Sequence, residues 1–93
     1  MLKIDPSRQA QKFLRQLERS NAKHARQIAE KLAALLLDPA PPDSLAMVNM
    51  APYRRAAVGE YRIVYFVDGD LLKIVVVGRR NDDSIYRLLR RLD

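Results

Sequence analysis

Cysteine and tryptophan are absent from this 93-residue chain, and histidine occurs once, at His24. Without cysteine there are no disulfides, no thiolate nucleophile and no cysteine metal ligands, and a single histidine counts against a zinc site. The longest purely apolar run, Leu32–Leu37, is far shorter than the ~20 residues of a membrane helix. The N-terminus has no long apolar stretch after a basic start, as a signal peptide would. These absences predict a soluble, cytoplasmic protein that does not contact membranes.

Positive charge is abundant. The chain has 17 Lys and Arg residues against 11 Asp and Glu, a net charge of +6 and a pI near 10.1, which favours a polyanionic partner. Residues 1–53 carry eight basic and five acidic side chains, and residues 54–93 carry nine and six, so each part has a net charge of +3. With 48% apolar residues, residues 1–93 are predicted to form one globular domain. Because neither part of the chain is a basic tail, a phosphate-binding site must be formed by residues that the fold brings together.

Helical periodicity dominates the first part of the chain. Met1–Ile4 predicts a short strand, and Asp5 and Pro6 predict a helix start with the aspartate as its cap. Apolar residues then recur at helical spacing on both sides of a break at Ser20–Asn21, which indicates two helices in an αα-hairpin. The proline-rich segment Asp38–Asp43 is predicted to be a loop.

Strand patterns dominate the second part. Tyr53–Val58, Tyr61–Val67 and Leu71–Val77 are predicted strands, and Asp68–Asp70 supplies the Asp-Gly chemistry of a tight hairpin turn. An apolar stripe predicts a short helix from about Asp82. The predicted fold class is α+β: a short N-terminal strand, an αα-hairpin, a three-stranded antiparallel sheet and a short C-terminal helix, with helices on one face of the sheet.

The usual catalytic groupings are missing. His24 lies in the middle of a predicted helix without a serine at useful spacing, and we expect an ordinary helix-surface residue there. The three glycines are too widely spaced for a phosphate loop. Asp68 and Asp70 are better explained by a hairpin turn than by metal binding.

Arginines on predicted strands are the remaining candidates. Alternation places Arg62 with Val64 and Phe66 on one face, opposite the face that looks like the core. Arg54–Arg55 and Arg79–Arg80 lie on the neighbouring strands, and such positions can converge on one surface that grips phosphate. The competing interpretation is that these are solvated arginines that deter edge pairing.

Three segments carry a resemblance to a known family: Glu60–Tyr65 (EYRIVY), Val75–Asp82 (VVVGRRND) and Ile85–Arg87 (IYR). With the strand and αα-hairpin at the start, the chain resembles the RelE/ParE toxin superfamily of type II toxin–antitoxin systems over nearly its whole length. The six-residue step from Arg80 to Tyr86 looks like the RelE branch.

This resemblance implies a ribosome-dependent endoribonuclease that cuts messenger RNA in the ribosomal A site without a metal or other cofactor. The 2′-hydroxyl attacks the adjacent phosphate and leaves a 2′,3′-cyclic phosphate and a 5′-hydroxyl. The implied partners are a cognate antitoxin, the ribosome with its message, and operator DNA through the antitoxin complex.

The resemblance also assigns residues. The implied catalytic residues are Arg55, Arg62, Arg80 and Tyr86, and the implied nucleic-acid-binding residues are Arg54, Arg79 and Arg87. Tyr86 would orient bases or assist proton transfer, although a packing role for this tyrosine is equally compatible with its helical position. Ala57 departs from the family pattern, because it stands where a second basic residue often occurs on the strand of Arg55. Arg54 would compensate only if a bulge or register shift re-aimed it.

Two other functions stay open. A ParE-like inhibitor of DNA gyrase shares the fold but cuts nothing, and it would not need Tyr86 at this step from Arg80. An inactive member that only binds the antitoxin or regulates DNA would explain Ala57.

Overall fold

The computed structural model describes residues 1–80 and Arg87, and in this part of the chain two helices pack on one face of a five-stranded sheet. The predicted α+β class is confirmed. The predicted C-terminal helix from Asp82 lies outside the described residues. The elements in chain order are β1 (Lys3–Pro6), α1 (Arg8–Ser20), α2 (Ala22–Leu37), β2 (Ser44–Ala46), β3 (Arg54–Val58), β4 (Tyr61–Asp68) and β5 (Leu71–Arg79).

The sheet is larger than the predicted three strands. Its order is β1-β5-β4-β3-β2, with β1 parallel to β5 and every other pair antiparallel. The three predicted strands form β3, β4 and β5. The prediction missed β2 because a three-residue strand is too short for alternation to identify it. It also left β1 without a partner, since β1 pairs with a strand that is distant in sequence.

The first helix begins later than predicted. Asp5 and Pro6 belong to β1, and Ser7 is the cap of α1, with its side-chain oxygen accepting a hydrogen bond from the Ala10 amide. Asp5 is instead engaged across the strands by Lys73. The αα-hairpin is confirmed, and Asn21 serves both helices: its amide donates to Leu17 O, and its side chain accepts from the His24 amide.

A β-bulge shapes the centre of the sheet. Val64 pairs with Val76 and Tyr65 pairs with Ile74, so Val75 is an extra residue on β5. The carbonyl of Val75 accepts a hydrogen bond of 2.6 Å from the Ser7 hydroxyl. The start of α1 therefore supplies hydrogen bonds that the shorter β1 cannot.

The main core lies between the helices and the sheet. Tyr61 and Tyr65 are both fully buried there, as predicted. The hydroxyl of Tyr65 donates to Pro39 O over 2.7 Å, which holds the proline-rich loop against the sheet. Lys31 on α2 hydrogen-bonds Asp43 at the end of this loop and lowers the pKa of that carboxyl. None of the described helices is long and apolar enough to span a membrane.

Candidate nucleic-acid interface

Alternation along β4 separates its side chains as predicted. Tyr61 and Ile63 lie in the core beneath the helices, whereas Val64 and Phe66 belong to a second apolar cluster. Arg62 is on the same side as this second cluster. We call this side the helix-free face, meaning the face of the sheet opposite α1 and α2.

Arg62 lies between two small residues. Its cross-strand partners are Ala57 on β3 and Gly78 on β5, and partners directly opposite share a face of the sheet. Neither neighbour has a side chain that could cover the guanidinium, and Arg62 is half-buried. Gly78 itself is buried, whereas Ala57 is exposed. The side chains directly opposite Arg62 are therefore both small.

Arg55 lies close to Arg62 on the same face. It pairs with Val64 on β4 and with Leu45 on β2, so it is the diagonal neighbour of Arg62. Cβ atoms at such positions are about 7–8 Å apart or somewhat less, and long side chains reach across this distance. The structure thus brings together two of the four predicted catalytic residues on adjacent strands.

Arg54 lies on the opposite face. It pairs with the core residue Tyr65, and its Nη2 donates to Ser44 Oγ over 2.8 Å and to Ser44 O over 3.4 Å. Its Nε is buried and has no hydrogen-bond partner within the described part of the chain. The pairing of β3 with β4 is regular, so no register shift turns Arg54 toward Ala57.

Arg79 and Arg80 lie at the end of β5. Arg79 pairs with Tyr61, its guanidinium lies 5.5 Å from the ring centroid of that tyrosine, and its Nη1 is 3.6 Å from Glu60 Oε2. It is therefore on the helix side. The amide of Arg80 donates to Glu60 O, and its side chain is exposed. Arg80 follows the last residue of β5, in a turn, so strand alternation does not assign its side chain to a face of the sheet.

The remaining predicted site residues lie near the C-terminus. Tyr86 is outside the described residues, and its predicted role stays a prediction. Arg87 is exposed.

His24 is not the ordinary surface residue that the sequence led us to expect. Its Nδ1 lies 2.8 Å from the hydroxyl of Tyr61 and 3.6 Å from Glu60 Oε1, and the two rings meet edge to face. The histidine is half-buried because the buried tyrosine directs its polar end toward α2. Helical spacing could not show this contact, because the two residues are 37 positions apart.

Sequence analysis also missed a loop that packs on the helix-free face. Residues 47–53, here called the methionine loop, place Met47, Met50 and Tyr53 against the second apolar cluster of Val64, Val75 and Val76. The ring of Tyr53 meets that of Phe66 edge to face, with centroids 5.6 Å apart. The sequence signal that could have predicted this loop is the three-residue spacing of Met47, Met50 and Tyr53.

The far end of the helix-free face carries an ion pair. Lys73, the partner of Phe66, hydrogen-bonds Asp5, which raises the pKa of the lysine. No group of three or more His, Asp or Glu side chains within residues 1–80 is placed to hold a metal ion.

Sequence comparison decides the family. The profile described as "ParE toxin of type II toxin-antitoxin system, parDE" matches residues 4–84, which is most of the chain. The chain belongs to this toxin family. The RelE/ParE resemblance inferred from the motifs is thereby confirmed. A search of curated proteins found no significant match.

Solved structures with the same fold include other type II toxins. The E. coli toxin RelE, solved in the free state with two arginines replaced by alanine, aligns with TM-score 0.79 and 21% identity. The alignment covers 99% of this chain and 98% of RelE. The YoeB dimer from Staphylococcus aureus aligns with TM-score 0.71 and 24% identity over 81% of this chain and 92% of YoeB. The RelE–RelB complex from Pyrococcus horikoshii aligns with TM-score 0.70 and 24% identity over 86% of this chain and 96% of the matched chain. These similarities show that this chain has the RelE fold.

Proposed function

We propose that this toxin is a ribosome-dependent messenger RNA endoribonuclease that holds the scissile phosphate on the helix-free face. The observation that carries the proposal is the diagonal placement of Arg55 and Arg62 on adjacent strands, with the small residues Ala57 and Gly78 as the cross-strand partners of Arg62. Arginine binds phosphate bidentately, and a guanidinium stabilises the extra negative charge of a phosphorane-like transition state.

In the proposed reaction the 2′-oxygen forms a bond to the adjacent phosphorus, and the bond from phosphorus to the 5′-oxygen breaks. The 2′-hydroxyl loses its proton to water, and the leaving 5′-oxygen takes a proton from water, so the step balances. Arg62 and Arg80 neutralise the phosphate, and Arg55 supports them. Since the pKa of arginine is above ~12, these residues act by charge rather than as bases. Positioning of the message by the ribosome supplies the orientation, a contribution of up to about 7–11 kcal/mol.

Tyr86 is the proposed fourth residue. At neutral pH a phenol with a reference pKa near 10 is mostly protonated, which favours stacking on a base over acting as a base itself.

The cognate antitoxin is the proposed protein partner, and operator DNA is reached through their complex. Other toxins of this fold have been solved with antitoxins, among them YoeB with YefM and YafQ with DinJ. The net charge of +6 favours an acidic partner segment as well as RNA.

Primer extension on a defined message tests the proposal. The purified toxin is added to ribosomes with a vacant A site, and in parallel to the same RNA without ribosomes. Cleavage at the A-site codon is expected only with ribosomes. Removing one hydrogen-bond donor that stabilises the transition state lowers the rate about 10²–10³-fold. The Arg62→Ala, Arg80→Ala variant should therefore show no cleavage.

The matched control is Arg8→Ala, Arg26→Ala, which removes two exposed helix arginines and the same amount of charge. It should cut like the unchanged toxin. Cleavage that survives in the Arg62, Arg80 variant, or that is lost equally in the control, contradicts the proposed site.

Inhibition of DNA gyrase is the second candidate, because the matching family profile is named for ParE. The profile match ends at residue 84, before Tyr86. A folded, growth-inhibiting toxin that cuts no message but blocks supercoiling by purified gyrase would establish this function instead. In cells, gyrase inhibition should give filaments and a DNA-damage response, whereas message cleavage should stop protein synthesis.

A further inference from the structure

A cleft of about 430 Å³ opens beside Arg55 on the helix-free face. Leu45 and Arg55 are cross-strand partners on β2 and β3, and they contribute to its floor. Met47, Val48 and Met50 of the methionine loop form its wall. The volume lies within the ~300–1,000 Å³ of typical small-ligand pockets.

The wall of the cleft is held in place by the loop's own hydrogen bonds. The Met47 amide donates to Tyr53 O over 2.9 Å, the Tyr53 amide to Met50 O over 2.8 Å, and the Met50 amide to Met47 O over 3.2 Å. Asn49 takes a left-handed conformation with φ of 58°, which asparagine tolerates better than most residues. These hydrogen bonds and the conformation of Asn49 define the turn of the methionine loop.

The chemistry of the lining suits a flat, electron-rich ring. Methionine sulfurs make favourable contacts with aromatic rings, and a guanidinium plane stacks on nucleobases. Among the described residues that line the cleft, Arg55 is the charged one, and its positive charge attracts a polyanion. Val48 at 85% and Leu45 at 55% exposure leave apolar surface open at the cleft.

We propose that this cleft receives one base of the message, next to the phosphate held by Arg62. The inference rests on the proposed function and adds a base-binding site to it. Arg55 belongs both to the cleft and to the phosphate-binding pair, so the two sites are continuous. A messenger RNA whose phosphate is bound by Arg62 and Arg55 therefore passes the mouth of the cleft. The base next to that phosphate can then turn into the cleft.

The experiment removes the base and the cleft separately and then together. Messages carrying an abasic nucleotide at each position of the A-site codon in turn are placed on ribosomes, and single-turnover cleavage rates are measured. The toxin is used unchanged, as Val48→Glu, and as Leu37→Glu. Val48 and Leu37 are both highly exposed, at 85% and 75%, so each change alters net charge equally with little cost to the core.

With the unchanged toxin, one abasic position should slow cleavage on the order of tenfold, as for loss of a stacked base. Val48→Glu should slow cleavage of the intact message by a similar factor. The abasic nucleotide at that position should then cause no further loss. Leu37→Glu should keep the pattern of the unchanged toxin.

Three results would overturn the inference. If the rate decreases caused by the abasic nucleotide and by Val48→Glu multiply at every position, the base and the cleft act independently. That result disproves only the base-binding site. If Val48→Glu cuts normally but binds the antitoxin poorly, the cleft receives a protein segment. If the unchanged toxin cuts no message at all, the proposed function fails together with this inference.

Discussion

Ala57 is the residue on which the proposed chemistry of the helix-free face depends most. It lies directly opposite Arg62, is exposed, and shares a strand with Arg55. The family resemblance implies a basic residue at this position, and Arg54 cannot replace it from the other face. The proposed nuclease therefore has charge stabilisation beside Arg62 but no nearby lysine that could accept a proton.

Ala57→Lys should make the proposed nuclease faster. Neighbouring positive charges lower the pKa of a lysine, so part of it would be neutral near pH 8 and able to act as a base. A positioned base contributes ~10²–10⁴-fold, and we expect at least about a tenfold gain in single-turnover cleavage on ribosomes. The rate should rise with pH up to the pKa of the new lysine, because only the neutral amine accepts a proton.

Ala33→Lys on the exposed surface of α2 is the control, since it adds the same charge on the helix side of the sheet. Equal rates and equal pH profiles for the two variants would mean that position 57 does not reach the reacting groups.

At the scale of elements, α1 completes the edge of β5. β1 ends at Pro6, and beyond it the backbone of β5 is hydrogen-bonded by side chains from the start of α1. Gln9 is the clearest case: its Nε2 donates to Val77 O over 2.7 Å, and its Oε1 accepts from the Val77 amide over 2.9 Å. One glutamine thus takes the place of a strand residue.

Gln9→Ala should destabilise the fold by about 1–3 kcal/mol, because it removes the partners of a buried donor and acceptor. Urea denaturation at neutral pH, followed by circular dichroism, measures the change. Gln11→Ala is the matched control, since that exposed side chain donates one hydrogen bond, to Pro6 O. If both variants unfold at the same urea concentration, the Gln9 amide does not contribute to the stability of the edge.

At the scale of the whole molecule, charge is spread over both parts of the chain, but the fold concentrates two strand arginines on one face. Exposed arginines also occur on α1 and α2, at Arg8 and Arg26 for example. A net charge of +6 attracts RNA from all sides. The salt dependence of binding separates contacts on the face from this general attraction.

Binding of a non-cleavable single-stranded RNA should weaken as salt rises, with a slope of about −0.7 in log K against log salt for each phosphate contact. Contacts from Arg55, Arg62 and Arg80 would give a slope near −2 by the same relation. Fluorescence anisotropy across a sodium chloride series should show that Arg62→Ala reduces the slope by about 0.7, whereas Arg26→Ala leaves it unchanged. Equal slopes for the two variants would point to a diffuse charge effect.

Local periodicity was enough to predict much of the fold and part of the site. The αα-hairpin, the three longer strands and the inward face of β4 all follow from spacing within a few residues. The placement of Arg62 opposite the core follows as well, because alternation along one strand needs no knowledge of its neighbours.

Contacts between distant residues lay beyond the reach of that periodicity. Arg54 and Arg55 are adjacent in sequence, and only the register with β4 shows which of them joins Arg62. The bulge at Val75, the pairing of β1 with β5 and the contact of His24 with Tyr61 all depend on residues far apart in the chain. The cleft beside Arg55 is likewise formed by the methionine loop folding back on the sheet, so tertiary packing, rather than any local pattern, created it.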